Sequence, residues 1–429
     1  MKILFYADTV FGFGGVQRVL AVIAKALSED NDVTILSTDT DENLSMYGYN
    51  QSDIRFDYIS YIGKKNLEYF TCKAISYLYK KILPKNKFTA RLYSYSFFRP
   101  SYKRQLISKI NSGNYDSVVG VHAFLSLHLA SVRKHLNVKN VTAWMHNSYN
   151  ALFEKENPYL PGLKSFFANE MRRLDGIVVL SKSDEKLFRA NLGLESVTIY
   201  NPLTLTPRGR ASAKYKKFLA IGRFSPKHKG FDLLIKAFAK FAHTNNDWTL
   251  EIVGEGEEEN IYRQLVAGSH LEQRVKICPF TKDIQRHYAG ASVYVLSSRW
   301  EGQPLVLVEA MAHGLPISSS DLPVAKELLE GRHCGTFFKC GDIDDMALAL
   351  SRMASTEEWT VMSENALKTS SHFKVENIRK QWGVALQRYS GFLRVCFYVI
   401  KFLLIYIYIN KVIFDTFICR DFYCNAVTL

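Results

Sequence analysis

The chain predicts an α/β protein built from two successive parallel-sheet units, and three observations carry that prediction. At 429 residues it exceeds the size at which one hydrophobic core usually keeps growing, so two domains are expected. Short β-branched apolar runs alternate with helical patterns from Lys2 to Ser319, the signature of strand–crossover–strand units. The series also begins twice, since strand, glycine-bearing turn and helix occur over Lys2–Leu27 and again over Phe218–Phe238. Apart from that likeness of architecture there is no repeat and no low-complexity segment.

Composition narrows the class. Hydrophobic residues make up 47% and charged residues 22%, the balance of a globular protein. A formal net charge of +14 calls for a partner carrying negative charge, whether nucleic acid, anionic lipid or a phosphorylated small molecule. Seven scattered cysteines without a CxxC pair indicate neither a disulfide framework nor a zinc site, and fit a reduced cytosolic compartment. Asp8 interrupts the first apolar stretch too early for a signal peptide, so Lys2–Ala7 reads as a core strand.

That strand runs into Gly12, Gly14 and Gly15 and then into the helical pattern Val16, Val19, Leu20, Ile23, Leu27. Such a turn gathers backbone N–H groups and a helix start at one point, which suits a phosphate or a sugar hydroxyl, although GFGG lacks the full dinucleotide spacing. Strands follow at Asp32–Ser37 and Ile54–Ile59. From Tyr61 to Ile110 lysines and arginines interleave with tyrosines and phenylalanines against the lone acid Glu68. This stretch fits an interfacial helix on an anionic leaflet, an acceptor bearing phosphates, or a solvated basic face. Nucleic acid ranks last because no helix-turn-helix, RNP or zinc-finger pattern accompanies the charge.

Alternation resumes with Ser117–Val121 and with Val141–Met145, which ends in His146 and Asn147. A lone histidine is often structural, but this one falls beyond a strand's carboxyl end, on the edge that carries Gly14 and Gly15. Ile177–Leu180 ends in Ser181, a helix cap ahead of Asp184 and Glu185. After a short strand at Val197–Tyr200, the residues from Asn201 to Lys217 read as a linker. The second series opens with Phe218–Gly222 and the turn GRFSPKHKG, where Arg223 and Lys229 flank a loop and Gly230 precedes a helix. Two cations at a helix start oppose its dipole and call for an anion, with a nucleotide diphosphate the natural candidate. Strands at Thr249–Val253, Val275–Cys278 and Val293–Leu296 lead into SSRWEGQPLVLVEAMAHGL at Ser297–Leu315. There Gly302 permits a turn and Pro304 suits the first helical position, so a helix is expected from Pro304 with Glu309 about one and a half turns in and Glu301 at the mouth of the turn. The apolar segment Phe392–Ile409 is interrupted by Arg394 and Lys401; a membrane-surface helix, a marginal anchor and an unnatural tail from an altered reading frame stay open as readings of it.

Glu301, Gly302, Pro304 and Glu309, the E-G-x-P-x-x-x-x-E pattern, together with Gly222, Arg223, Lys229 and Gly230, resemble the retaining glycosyltransferases of family 4. Gly14, Gly15, His146 and the Tyr200-Asn201-Pro202 hinge agree with that resemblance, which covers about residues 1–390. In wording, the GFGG turn and the WMHNS segment are similar to bacterial transferases that build lipopolysaccharide core or capsule. The resemblance implies a GT-B fold of two facing Rossmann-like domains around a deep cleft. The expected divisions are an acceptor-side domain at 1–203, a nucleotide-sugar domain at 204–375, a helix crossing back at 376–390 and a tail at 391–429.

Carried onto this chain, the resemblance implies that Arg223 and Lys229 hold the diphosphate of a nucleotide sugar, expected to be UDP-linked, without metal or cofactor. Glu309 would bind the ribose hydroxyls, and Glu301 with the backbone around Gly302 and Gln303 would meet the donor sugar. His146 would hydrogen-bond that sugar across the cleft, with Gly14 and Gly15 beside the diphosphate. Asn147, Gly222, Pro304 and Leu305 complete the expected substrate-binding set, and Asn147 replaces an aspartate often found in the family. Hexosyl or N-acetylhexosaminyl transfer to a saccharide or lipid-linked saccharide in lipopolysaccharide, capsule or exopolysaccharide synthesis is the expected activity. A sugar-nucleotide epimerase and a non-catalytic sugar-nucleotide binder are the competing readings. The expected place is cytoplasmic, peripheral on an anionic membrane through 61–110 and the tail at 391–415, with no nucleic-acid partner.

Overall fold

The computed structural model describes residues 1–39, 43–60, 66–84, 86–225 and 227–388. Its first sheet contains β1 (Lys2–Ala7), β2 (Asp32–Ser37), β3 (Arg55–Tyr58), β4 (Ser117–Val121), β5 (Asn140–Trp144), β6 (Gly176–Val179) and β7 (Val197–Thr198) in the order β3-β2-β1-β4-β5-β6-β7. The second contains β8 (Lys217–Ile221), β9 (Thr249–Val253), β10 (Val275–Cys278), β11 (Val293–Leu296), β12 (Ile317–Ser320) and β13 (Gly335–Phe338) in the order β10-β9-β8-β11-β12-β13. Every pairing in both sheets is parallel. These are two Rossmann-like domains of GT-B architecture. Helices cover both faces of a parallel sheet, which is why its strands read as unbroken apolar runs.

Each sheet is sandwiched between two apolar clusters. In the first, Leu4 and Tyr6 face one cluster and Ile3 and Phe5 the other, as the strand period of two requires. The second cluster is completed from the far end of the chain. Helix Val375–Arg388 returns to the first domain and buries Ile378, Trp382, Ala385 and Leu386 among residues of β1, β4 and β5. Trp382 lies 4.7 Å from Trp144 and 6.5 Å from Phe5.

The basic, aromatic stretch folds as three helices, Leu67–Lys81, Lys87–Phe97 and Pro100–Ser112. Three start signals divide it: Asn66 caps the first, Asn86 and Thr89 form a capping box at the second, and Pro100 opens the third. Its Tyr79, Tyr93, Phe98 and Tyr102 are core residues. Lys64, Lys65, Lys85 and the tail 391–429 lie outside the described residues. Among the described residues, no helix is long and apolar enough to cross a membrane. Strand β13 and helices Tyr149–Phe153 and Lys164–Met171 had no counterpart in the sequence expectations.

Candidate active site

The expected catalytic and substrate-binding residues line one cleft of about 590 Å3 between the two domains: Gly14, Gly15, His146 and Asn147 from the first, and Gly222, Arg223, Lys229, Glu301, Gly302, Gln303, Pro304, Leu305 and Glu309 from the second; Gly230, Tyr200 and Pro202 of the same resemblance lie outside its lining. Two glycines make their convergence possible. Gly230 has φ +67°, and a β-carbon there would stand 2.2 Å from the Ser297 carbonyl oxygen, so only glycine lets helix Phe231–Ala242 start against the end of β11. A β-carbon on Gly302 would stand 2.5 Å from the His146 carbonyl oxygen, so this glycine lets the two domains approach closely there.

Pro304 is the N-cap and the helix runs from Leu305 to Ala312, one residue later than expected. Its ring fixes φ at −73° but leaves ψ free, and ψ of 102° keeps the residue extended. Gln303 accepts a hydrogen bond from the Asn201 N–H at 2.5 Å and donates to the Asn201 carbonyl at 3.2 Å. Its side chain therefore ties the hinge, and it offers the cleft only its backbone. Leu305 packs against the first domain's core and lies 3.3 Å from the position of a β-carbon on Gly15.

The charged groups form two centres. Lys229 Nζ donates to Glu301 Oε1 at 2.7 Å, Ser298 Oγ donates to the same oxygen at 2.7 Å, and His228 Nε2 is 3.9 Å away. Burial would raise the Glu301 carboxyl, but Lys229, His228 and Ser298 outweigh it and hold the pKa below the ordinary glutamate value. His228 stacks on Trp300 with centroids 4.8 Å apart, and its Nε2 donates to the Trp300 carbonyl at 2.9 Å. Arg223 is exposed in the cleft, and no carboxylate among the described residues pairs with it. Lys227 in the same turn pairs with Glu156 at 3.5 Å, so the turn after β8 carries two paired cations and, in Arg223, one without a carboxylate partner among the described residues.

At the second centre Glu309 is buried and fully bound. Arg18 reaches it from the first domain at 2.5 Å, Thr204 donates at 3.1 Å to the same oxygen, and Tyr288 donates at 2.9 Å to the other. Burial first, then His122, holds His146 far below its ordinary pKa, so it is a neutral imidazole whose Nε2 has no partner among the described residues. The Gly14 N–H donates to Tyr47 Oη at 3.2 Å. Sequence reasoning missed Arg18, Tyr47, His228, Tyr288 and Trp300. Arg18 left a signal in the first turn of the helix after the glycine turn, and His228 and Trp300 directly precede Lys229 and Glu301 in the motif segments; Tyr47 and Tyr288 arrive through tertiary folding.

Two facing parallel-sheet domains with cations, acids and glycine turns converging on the cleft between them have the GT-B arrangement. Residues 206–369 match the family of glycosyl transferases group 1. An uncharacterized glycosyltransferase of Haemophilus influenzae is 28% identical over 393 residues, covering 89% of this chain and 98% of that protein. The UDP-Gal:alpha-D-GlcNAc-diphosphoundecaprenol alpha-1,3-galactosyltransferase of Escherichia coli is 30% identical over 152 residues, or 34% of this chain and 39% of that one. Among solved structures, the apo form of the lipopolysaccharide outer core galactosyltransferase WaaB superposes with a TM-score of 0.65 at 19% identity, covering 90% of this chain and 99% of WaaB.

Proposed function

We propose that this glycosyltransferase moves a hexosyl or N-acetylhexosaminyl group from a UDP-sugar to a saccharide or lipid-linked saccharide, with retention at the anomeric carbon, in the synthesis of lipopolysaccharide, capsule or exopolysaccharide. The observation that carries this reading is the turn after β8. Arg223 stands there without a counter-charge among the described residues, and Lys229 is held by Glu301 just before helix Phe231–Ala242. A diphosphate in that turn meets two cations and the helix's N–H groups. The Escherichia coli relative, named for UDP-Gal and a diphosphoundecaprenol-linked acceptor, supports the donor and acceptor classes.

In this mechanism the C1–O bond to the diphosphate breaks as the acceptor hydroxyl approaches the same face of the sugar. The hydroxyl proton passes to the departing phosphate oxygen, and Arg223 and Lys229 neutralise the charge that grows there. No metal or cofactor is needed for that charge. Neutral His146 hydrogen-bonds the sugar, Glu301 meets its other hydroxyls, and Glu309 takes the ribose diol in place of Arg18. A hydrolase-like carboxylate pair does not fit, because each glutamate is already engaged with a cation from Lys229 or Arg18.

The test is UDP release from UDP-sugars with and without saccharide acceptors. Lys229→Ala is expected to lower kcat by about 10²–10³-fold, the usual effect of removing one group that stabilises transition-state charge. Full activity in that variant overturns the assignment. Sugar interconversion without acceptor would support an epimerase, and UDP binding without turnover a non-catalytic binder.

A further inference from the structure

Two turns of the second domain build the donor cradle, one after β8 with Lys227, His228 and Lys229, and one after β11 with Trp300 and Glu301. A single short segment of the first domain, residues 154–159, reaches both. Glu156 pairs with Lys227 at 3.5 Å, and the Lys155 amine stands 4.7 Å from the centre of the Trp300 indole and 3.8 Å from the centre of the Tyr159 ring. Glu154 and Glu156 flank Lys155 in the chain, yet Glu154 pairs with Lys164 at 3.7 Å, and no carboxylate among the described residues pairs with Lys155. Its charge therefore faces two rings, an attraction that strengthens as water is excluded.

Trp300 has few other means of orientation. Its Nε1–H is buried without a hydrogen-bond partner among the described residues, so contacts with the ring faces set its position. His228 supplies one, stacked with centroids 4.8 Å apart at 9° and tied by its Nε2 to the Trp300 carbonyl at 2.9 Å. Lys155 supplies another from across the domain boundary. A second cavity, of about 290 Å3, shares Ser148, Trp300 and Glu301 with the cleft and has Lys155 in its own lining. A ring bordered by two cavities lacks the dense packing that fixes a core side chain, and the contacts it does make decide its place. His228 in turn stands 3.9 Å from Glu301 Oε1, the oxygen that Lys229 holds. A shift of Trp300 thus passes through His228 to the Lys229–Glu301 pair.

We propose that Lys155 is a positioning residue for transfer: reaching across the domain boundary, it fixes Trp300 and His228, and through them sets Glu301 and Lys229 in the geometry that the reacting donor requires. This assignment rests on the transferase reading above, and its test separates the two. Lys155→Met, Lys155→Arg, Trp300→Leu and the double variant Lys155→Met/Trp300→Leu would be made in the full chain. Melting temperature, UDP affinity by calorimetry, and kcat and donor KM for UDP release in water from UDP-glucose, UDP-galactose and UDP-N-acetylglucosamine would be measured. Loss of one cation–ring contact corresponds to about a two- to thirtyfold change in rate. The expected result is a kcat lowered by that factor in Lys155→Met, with donor KM, UDP affinity and melting temperature unchanged. Lys155→Arg should regain most of the rate, because a guanidinium also stacks on rings, and the double variant should be no slower than Trp300→Leu alone. A full rate in Lys155→Met, equal losses in the Met and Arg variants, or losses that multiply in the double variant would overturn the role. So would a loss matched by weaker UDP binding or a lowered melting temperature, and so would a wild type that binds UDP but releases it from none of the three donors. Failure of the wild type to bind UDP overturns the transferase reading itself.

Discussion

At the scale of single residues the site is governed by buried charge. Lys229 and Glu301 are each largely out of solvent and satisfy one another, which is why removing one partner leaves the other stranded; stranding a buried charge typically costs about 3–5 kcal/mol. The loss of activity in Lys229→Ala therefore needs a stability control, and a Lys229→Met/Glu301→Gln pair supplies one, since it restores packing without charge. Asp184 shows burial without a cation. It was read as an acid favouring a helix start, yet the structure buries it against the Tyr149 N–H at 2.8 Å and the Ser181 hydroxyl at 2.9 Å. Burial, opposed by those two bonds, pushes its pKa up to about 6 from 3.8. The folded state then keeps a proton between about pH 4 and 6 that the unfolded chain releases, so stability from this group is present below pH 4 and lost as pH rises to 6. A shift of this size corresponds to on the order of 3 kcal/mol. Asp184→Asn should flatten that part of the pH profile, as read from denaturant midpoints at pH 4 and pH 7; an unaltered slope would rule Asp184 out as its source.

At the scale of elements, the helices of the basic stretch divide their residues between core and surface. Leu67, Phe70, Tyr77 and Leu78 recur at helical spacing on one exposed face, and Phe88 and Leu92 expose a second apolar edge on the next helix. Lys73, Lys80, Lys81 and Arg91 are exposed around them. A face that mixes exposed rings with lysines suits the headgroup region of an anionic bilayer. Phe70→Ser/Phe88→Ser should weaken sedimentation with phosphatidylglycerol vesicles several-fold while leaving UDP affinity as it was; equal binding of the variant and the wild type would remove this face from the membrane. The charge pattern was legible before folding, because composition reports it. Which rings face out was not, because three short helices, not one long one, decide the facing.

At the scale of the molecule, the last described helix belongs to the first domain's core. Trp382 is wholly buried against Trp144 and Phe5, more than 200 residues away in sequence. Trp382→Ala should destabilise the first domain by about 3–5 kcal/mol, the usual range for truncating a buried aromatic. Intrinsic fluorescence and hydrogen exchange can check this, with lost protection expected at β1, β4 and β5; loss confined to helix Val375–Arg388 would mean the helix contributes little to that core. The domains are also joined by Arg18 on Glu309, Gln303 on Asn201, and Glu327 on the N–H groups of Lys182 and Ser183 at 2.7 and 3.1 Å. These contacts hold the cleft at its present width, and domain closure on substrate must work against or through them.

Periodicity by itself determined the two parallel-sheet units, because strands buried on both faces must be apolar throughout. Glycine and proline chemistry likewise marked the turns after β1, β8 and β11, where backbone geometry restricts the residue type. The candidate site was legible as a set of residues at strand ends. What each of them touches was decided only by the tertiary structure: Arg18 on Glu309, Lys229 on Glu301, the Gly302 backbone against His146, and His122 held beside it. Local patterns record which face a residue occupies, whereas pairing across a cleft depends on how two separately encoded sheets come to face each other.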